Sequence, residues 1–142
     1  MSSKTVRSLV IGLFLFGMLG CATRPRADIA ALSTDPVSVD DGSRKVSVSC
    51  TKDDTIVLLG DAKFTMRGAR GYIGQIESQR GWIEIGAVSM RYDGREVSIR
   101  GRKAWQNIIL DADESRNFIV DQDGKAMRSI WKTETPATQP AK

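Results

Sequence analysis

The sequence predicts a single all-β domain, built as an antiparallel sandwich, roll or small barrel of about six to eight short strands. Three observations support this fold class. Apolar and polar residues alternate with a period of two in several short runs, glycines fall between the runs, and no long helical stretch separates them. A period of two turns one face of each strand toward a core and the other toward solvent. We therefore expect half-buried strands around one core.

The first strands are expected after residue 43. Residues 46–51 and 62–67 alternate between apolar and polar side chains, and residues 56–59 form a short apolar run between them. Cys50 lies on the apolar phase of the first run. We expect it to be a small core residue, since the chain has no histidine to activate its thiol.

Two hairpins are predicted further along the chain. Each consists of two alternating runs around an Asp-Gly pair, which is the strongest short-range signal of a hairpin. They cover residues 88–100, with Asp93-Gly94 at the turn, and residues 118–131, with Asp123-Gly124 at the turn.

Two further segments complete the predicted domain. Residues 82–85 are assigned to a strand. Residues 103–110 also fit a short helix, but we assign a strand because Trp105, Ile108 and Ile109 are aromatic or β-branched.

Both ends of the chain are expected to lie outside the folded domain. Residues 21–43 contain two prolines, four aspartates and a glycine, which is typical of a flexible linker. Residues 133–142 have almost nothing to bury and are predicted to be disordered. The β domain is thus predicted to span residues 44–132.

Residues 1–20 follow the order of a secretory signal peptide, with Lys4 and Arg7 before an apolar stretch at residues 9–19. That stretch is too short for a comfortable membrane span of about twenty residues. The segment Met18-Leu19-Gly20-Cys21 resembles the lipobox of bacterial lipoprotein precursors, and the resemblance covers residues 1–22. It implies that cleavage precedes Cys21, that its thiol carries a diacylglyceryl group, and that its new amino group is acylated, typically with palmitate.

The residue after the lipobox cysteine bears on localisation. Ala22 stands where lipoproteins retained in the inner membrane of two-membrane bacteria carry aspartate. The resemblance therefore implies a protein anchored to the periplasmic face of the outer membrane.

Composition excludes several function classes. The 142 residues include 21 Lys and Arg against 17 Asp and Glu, and the two signs are interleaved rather than clustered, which argues against nucleic-acid binding. With Cys21 acylated, Cys50 has no partner for an intrachain disulfide. The absence of histidine removes the commonest zinc ligand and the usual general base. We expect no cofactor.

An acidic stretch near residue 111 is a candidate calcium site. Asp111, Asp113 and Asn117 offer oxygen ligands as a calcium loop does, but the glycine at the sixth position and the distal glutamate of such a loop are missing. Aspartate and asparagine are also favoured in β-turns. We therefore expect ordinary turns and no bound metal.

Arginines on the outer face of the predicted strands are the binding candidates. Arg91, Arg95 and Arg100 belong to this group, and Arg91 is expected opposite Arg100 or Arg102, where guanidinium groups would recognise phosphate or carboxylate. The alternative is a solvated strand face that discourages edge pairing.

The larger aromatic side chains are expected mainly in the core, with a ligand surface as the alternative. They are Trp82, Trp105, Trp131, Tyr72 and Tyr92.

The function predicted from the sequence is that of a lipid-anchored, non-catalytic lipoprotein of the cell envelope. It would act as a binding or assembly module that contacts another envelope protein or lipid, besides the membrane reached through Cys21. Two alternatives remain. One is a small envelope hydrolase with a carboxylate pair drawn from Asp111, Asp113 or Glu114. The other is a passive structural lipoprotein.

Overall fold

Two six-stranded β-sheets pack against each other as a sandwich. The computed structural model describes residues 24–111 and 116–129. In chain order the strands are β1 (Arg26–Ser33), β2 (Val37–Asp40), β3 (Lys45–Cys50), β4 (Thr55–Leu59), β5 (Ala62–Met66), β6 (Tyr72–Glu77), β7 (Arg80–Ile85), β8 (Val88–Asp93), β9 (Glu96–Arg100), β10 (Trp105–Ile109), β11 (Arg116–Val120) and β12 (Ala126–Ser129). The predicted all-β class is confirmed, and among the alternatives the architecture is the sandwich.

The two sheets differ in topology. Sheet A has the order β1-β6-β7-β8-β9-β10, and all of its neighbours are antiparallel. Sheet B has the order β12-β11-β5-β4-β3-β2, and here β11 runs parallel to β5. The parallel pair arises because the chain leaves sheet A after β10 and enters sheet B beside β5 rather than through a hairpin.

The prediction of six to eight strands is too low, since the described residues contain twelve. One strand that the sequence analysis does not predict is β6, which contains Gly74. Gly74 lies inside the strand opposite Ile83, and a Cβ there would overlap the carbonyl oxygen of Trp82. The glycine therefore serves close packing of β6 against β7.

The predicted flexible linker at residues 21–43 is corrected by the two other missed strands. β1 pairs with β6 and β2 pairs with β3, so the folded unit begins at Arg26 rather than at residue 44. Ala27 and Ile29 of β1 and Val37 of β2 pack against the core. The alternation was difficult to recognise because Ala27 is small and Pro36 separates the two strands.

Both predicted hairpins form. Asp93 pairs with Glu96, so the first turn consists of Gly94 and Arg95, with Gly94 at a φ of +57° that favours glycine. The second hairpin joins β11 to β12 through a longer loop. Trp131, which was assigned to its second strand, lies outside the described residues, as does the predicted tail. The strand predicted within residues 103–110 is β10.

The core lies between the inner faces of the two sheets. Its largest fully buried side chains include Phe64, Met66, Ile83 and Met90. Phe64 also stacks on Phe118, with ring centroids 4.8 Å apart, which ties β5 to its parallel neighbour β11.

Cys50 is half-buried and packs against the border of this core, close to its expected position. Its sulfur accepts a hydrogen bond from the amide of Gly71 at 3.2 Å and lies 3.5 Å from the Thr55 hydroxyl.

The sheets are joined differently on the two sides of the sandwich. On the β1 side, the Tyr72 hydroxyl lies within hydrogen-bond reach of the carbonyl oxygens of Val48, at 3.2 Å, and of Asp35, and it donates its one proton between them. On the β10 side, the backbones of Gly101 and Gly124 are in contact, because a Cβ on either one would overlap the other. These joints hold β1 and β10 at opposite borders of sheet A.

Candidate functional site

The outer face of sheet A carries polar, charged and aromatic side chains. Its central row crosses all six strands, because the cross-strand partners share one side of the sheet. From edge to edge the row contains Asp28, Gln75, Trp82, Arg91, Ser98 and Asn107. A tryptophan therefore sits in the middle of a polar surface.

Trp82 lies in the floor of a shallow depression of about 430 Å³. The indole is half-buried, and its direct cross-strand neighbours are Gln75 and Arg91. Charged side chains of both signs surround it, including Glu77, Arg80, Glu84 and Asp93. An aromatic centre with a charged rim can bury apolar area while matching charges on a partner.

Hydrogen bonds order the charges toward the β1 border. Arg26 and Asp28 form an ion pair at 2.9 Å, and Asp28 also accepts a hydrogen bond from Gln75 at 2.7 Å. The hydrogen bond from Arg26, and then that from Gln75, lowers the pKa of Asp28. Arg80 and Glu77 form a second ion pair at 3.3 Å. The rim thus carries hydrogen-bonded charges of both signs.

A buried tyrosine supports the face from below. Tyr92 lies opposite Gly81, and its hydroxyl passes over this glycine to donate to the carbonyl of Glu77 at 2.6 Å. A Cβ at position 81 would approach that hydroxyl to 2.6 Å, so only glycine leaves the space. Burial raises the pKa of Tyr92, which keeps the hydroxyl protonated as a donor.

The three arginines proposed for binding do not lie at one site. Arg91 and Arg100 share the outer face of sheet A, but Arg91 pairs with Ser98, and Arg100 pairs with Ser89. The expected pairing of Arg91 with Arg100 or Arg102 is therefore wrong. The two-residue turn sets a register in which Arg91 faces Ser98, two residues before Arg100. Arg95 lies in that turn.

Arg95 lines a different cleft, of about 780 Å³, at one end of the sandwich. Arg44, Lys45, Asp61 and Asp111 also line it. Arg44 donates from Nη1 to the carbonyl oxygen of Gly94 at 2.5 Å, which links the β2–β3 loop to the β8–β9 turn. Two of the sequence candidates, Arg95 and Asp111, thus meet in this cleft.

The candidate calcium ligands have other positions and partners. The Asp111 carboxylate pairs with Arg116. Asn117 lies within β11, opposite Lys63 and Ser129, rather than in a turn. No group of three metal-ligating side chains occurs in the described ranges. Asp113 and Glu114 lie outside them, as does the lipidation candidate Cys21.

The expectation that the aromatic residues lie mainly in the core holds for the tyrosines and fails for two tryptophans. Tyr72 and Tyr92 are buried, whereas Trp82 is half-buried on the outer face and Trp105 is 67% exposed. The sequence does contain a signal that Trp82 points outward. It shares the period of Glu84 and is out of phase with Ile83 and Ile85, which predicts an outward side chain.

The outer face of sheet B contrasts with that of sheet A. Its two middle rows carry small polar and aliphatic side chains with one charge, that of Lys63, within the described strands. The residues are Ser38, Ser47, Ser49, Ile56, Leu58, Lys63, Thr65, Asn117, Ile119, Met127 and Ser129.

Comparison with known proteins adds no relative: no protein-family model, no curated protein and no solved structure matches the chain. Within residues 24–111 and 116–129 there is no helix long and apolar enough to cross a membrane.

Proposed function

We propose that the chain is a lipid-anchored, non-catalytic module of the bacterial cell envelope that binds another envelope protein through the outer face of sheet A. The observation that carries the proposal is the position of Trp82, half-buried at the centre of a face whose rim is charged.

Protein interfaces concentrate their binding energy in central aromatic and arginine side chains, surrounded by polar contacts that exclude water. Trp82 and its neighbour Arg91 are of these two residue types and lie side by side. The charges of both signs around them, including Arg80, Glu84 and Asp93, would select a partner with a complementary pattern.

The proposed anchor limits where the partner can be. Arg26 begins β1 five residues after Cys21. A fully extended chain of five residues spans at most about 18 Å. A lipid-anchored Cys21 would therefore keep the domain close to the bilayer surface, and the partner would be membrane-bound or membrane-adjacent.

Site-specific photo-cross-linking in cells that produce the full chain tests the proposal. A photoreactive residue at position 91 should form an adduct with one envelope protein. The same residue at position 63, on the outer face of sheet B, is the matched control and should not form it. Trp82→Ala should reduce the adduct about tenfold or more, since central aromatic residues dominate such interfaces.

The anchor is tested in the same cells. Cys21→Ser should release the protein from the membrane fraction or leave the precursor uncleaved, and it should weaken the adduct. Equal yields of adduct at positions 91 and 63 would contradict binding through sheet A. So would an adduct yield that Trp82→Ala leaves unchanged.

A further inference from the structure

Strand β10 is an open edge of sheet A. Within the described residues its one neighbour is β9, and the five residues of β10 pair with it without a register shift. Two hydrogen bonds fix which backbone groups face β9: Gly101 donates to Ala104 at 3.0 Å, and Leu110 donates to Arg95 at 2.9 Å. Hydrogen-bonded pairs alternate along an antiparallel ladder.

This alternation determines which backbone groups point away from the sheet. Gln106 and Ile108 take the hydrogen-bonded positions toward β9. The amide and carbonyl groups of Trp105, Asn107 and Ile109 therefore face outward from the edge. An edge with such groups is a template for another strand.

The side chains along this edge are arranged symmetrically. Trp105 is 67% exposed and Ile109 is 58% exposed, and both lie on the outer face of sheet A. They flank Asn107 at equal spacing. The strand contains no charged residue.

We propose that β10 pairs antiparallel with β10 of a second copy of this chain, about a two-fold axis through Asn107. In this register Trp105 of each copy lies directly opposite Ile109 of the other, and the two copies form one continuous sheet. An aromatic residue opposite a β-branched one is a favourable cross-strand pair. Both large exposed apolar side chains of the edge are then covered by their counterparts, as an isologous contact requires.

Neighbouring polar groups favour the same register. The Asn107 side-chain oxygen accepts a hydrogen bond from Ser98 at 2.7 Å, so its amide group is free to donate toward Asn107 of the second copy. Glu96 lies beside Ile109, and Arg100 lies beside Trp105. The two-fold places each Glu96 and the Arg100 of the other copy at opposite ends of one apolar row.

One outward carbonyl already has a donor. Arg116 donates from Nη1 to the carbonyl oxygen of Ile109 at 2.9 Å. A carbonyl oxygen has two lone pairs and can also accept the amide of Trp105 from the second copy. The bond from Arg116 therefore leaves this carbonyl able to accept the amide of the pairing strand.

The other edges carry features that oppose strand addition. β1 contains the charged residues Arg26 and Asp28 and a register shift between Ile29 and Ser33. β2 spans four residues and ends at Asp40, and β12 spans four described residues and contains Arg128. Short length, charge and irregular register are the usual protections of an edge. This selects β10 as the edge for self-association.

The contact is small. Five residues on each side bury less than the roughly 1,600 Å² of a standard interface. We expect a dissociation constant on the order of 10 µM or weaker in solution, and stronger association where two chains share a membrane surface.

Sedimentation equilibrium of the purified full chain in density-matched detergent, from about 1 µM to several hundred µM, measures the association. The mass of the wild-type protein should rise toward that of a dimer. Asn107→Pro removes an outward amide without removing a bond to β9, so the fold should be retained and the dimer lost. Asn107→Ala keeps the backbone amide but removes the side-chain bonds between the copies, so it should weaken the dimer about tenfold and leave it measurable.

Trp105→Ser provides a second variant that does not depend on proline being accommodated, since the side chain is exposed. It should weaken the dimer about tenfold or more. Leu32→Ser, at a 72% exposed leucine of β1, is its matched control and should have no effect. A monomeric mass at every concentration, or a dimer unchanged by both Asn107→Pro and Trp105→Ser, would overturn the proposal. Because the purified chain is measured alone, this outcome is independent of whether sheet A binds another protein.

Discussion

The two sides of the sandwich differ in the edge strand of sheet A and in the contacts that join the two sheets. At the β1 side, the edge carries the ion pair of Arg26 and Asp28 and a shifted register, and Tyr72 joins the sheets through its hydroxyl. At the β10 side, the edge is regular and uncharged, and the sheets are joined by direct backbone contact at Gly101. The difference indicates that the β1 edge is protected against pairing, whereas β10 leaves its outward backbone groups available to another strand.

Energetics support this interpretation of the β1 side. An ion pair as exposed as Arg26–Asp28 adds little to the free energy of unfolding, because water screens it. Its placement along an edge has a larger consequence, since pairing with another strand would require both charges to lose water. The ion pair of Arg26 and Asp28 therefore does more to prevent pairing of β1 with other strands than to stabilise the fold.

The largest expected effect comes from the joint at the β10 side. Gly101→Ala would force the backbones of Gly101 and Gly124 apart, because the new Cβ would overlap the Gly124 nitrogen and the Asp123 carbonyl carbon. We expect a loss of about 3 kcal/mol or more in the free energy of unfolding, measured by urea denaturation, since backbone cannot move aside as a side chain can.

The matched control for this variant is Gly94→Ala. Gly94 has a positive φ and open space around it, so its replacement should cost only the strain of a left-handed residue, about 1–2 kcal/mol. If the two variants lose the same free energy, the loops of β9–β10 and β11–β12 are not in backbone contact, and the comparison between the two sides fails.

The polar joint on the β1 side should be weaker. Tyr72→Phe removes the hydroxyl that shares its proton between the carbonyl oxygens of Val48 and Asp35 while keeping the buried ring, and it should lower the free energy of unfolding by about 1–2 kcal/mol. Thermal unfolding followed by circular dichroism measures this change. A loss as large as that of Gly101→Ala would show that the two sides are joined with similar strength.

Particular residues show how far sequence reasoning reaches here. The alternation of Val46, Val48, Val57 and Phe64 predicts strands correctly, because these large side chains can be buried on only one face. β1 escaped the prediction because its apolar phase is weak and its pairing with β6 lies 47 residues away in sequence, as the bond from Gln75 to Asp28 illustrates. A local pattern contains no information on such a partner.

The candidate site was predicted only in part for the same reason. Arg91 and Arg100 were recognised as outward residues, but their partners depend on the register, which the two-residue turn at Gly94 and Arg95 sets. The central place of Trp82 requires knowledge that β7 lies between β6 and β8. That β10 is an open edge likewise follows from the strand order and cannot be predicted from the sequence pattern.

The smallest expected effect concerns a loop contact near the β1 side, and it depends on pH. Asp41, between β2 and β3, accepts hydrogen bonds from Ser43 at 2.5 Å and from Ser78 in the β6–β7 loop. These bonds, with that from Ser43 first, hold the pKa of Asp41 well below its usual range. In the unfolded chain the carboxyl group titrates near its ordinary value of about 3.9.

The sign of the pH dependence follows from this difference. Because the folded state holds Asp41 ionised more strongly, the contribution to stability is complete above the ordinary pKa and is lost as pH falls below about 4 toward the lower value of the folded state. Asp41→Asn cannot titrate, so the gap in melting temperature between wild type and variant should narrow between pH 6 and pH 3. A gap that stays constant over this interval would mean that Asp41 does not bridge the two loops in solution, and that the β1 side depends on Tyr72 for its polar joint between the sheets.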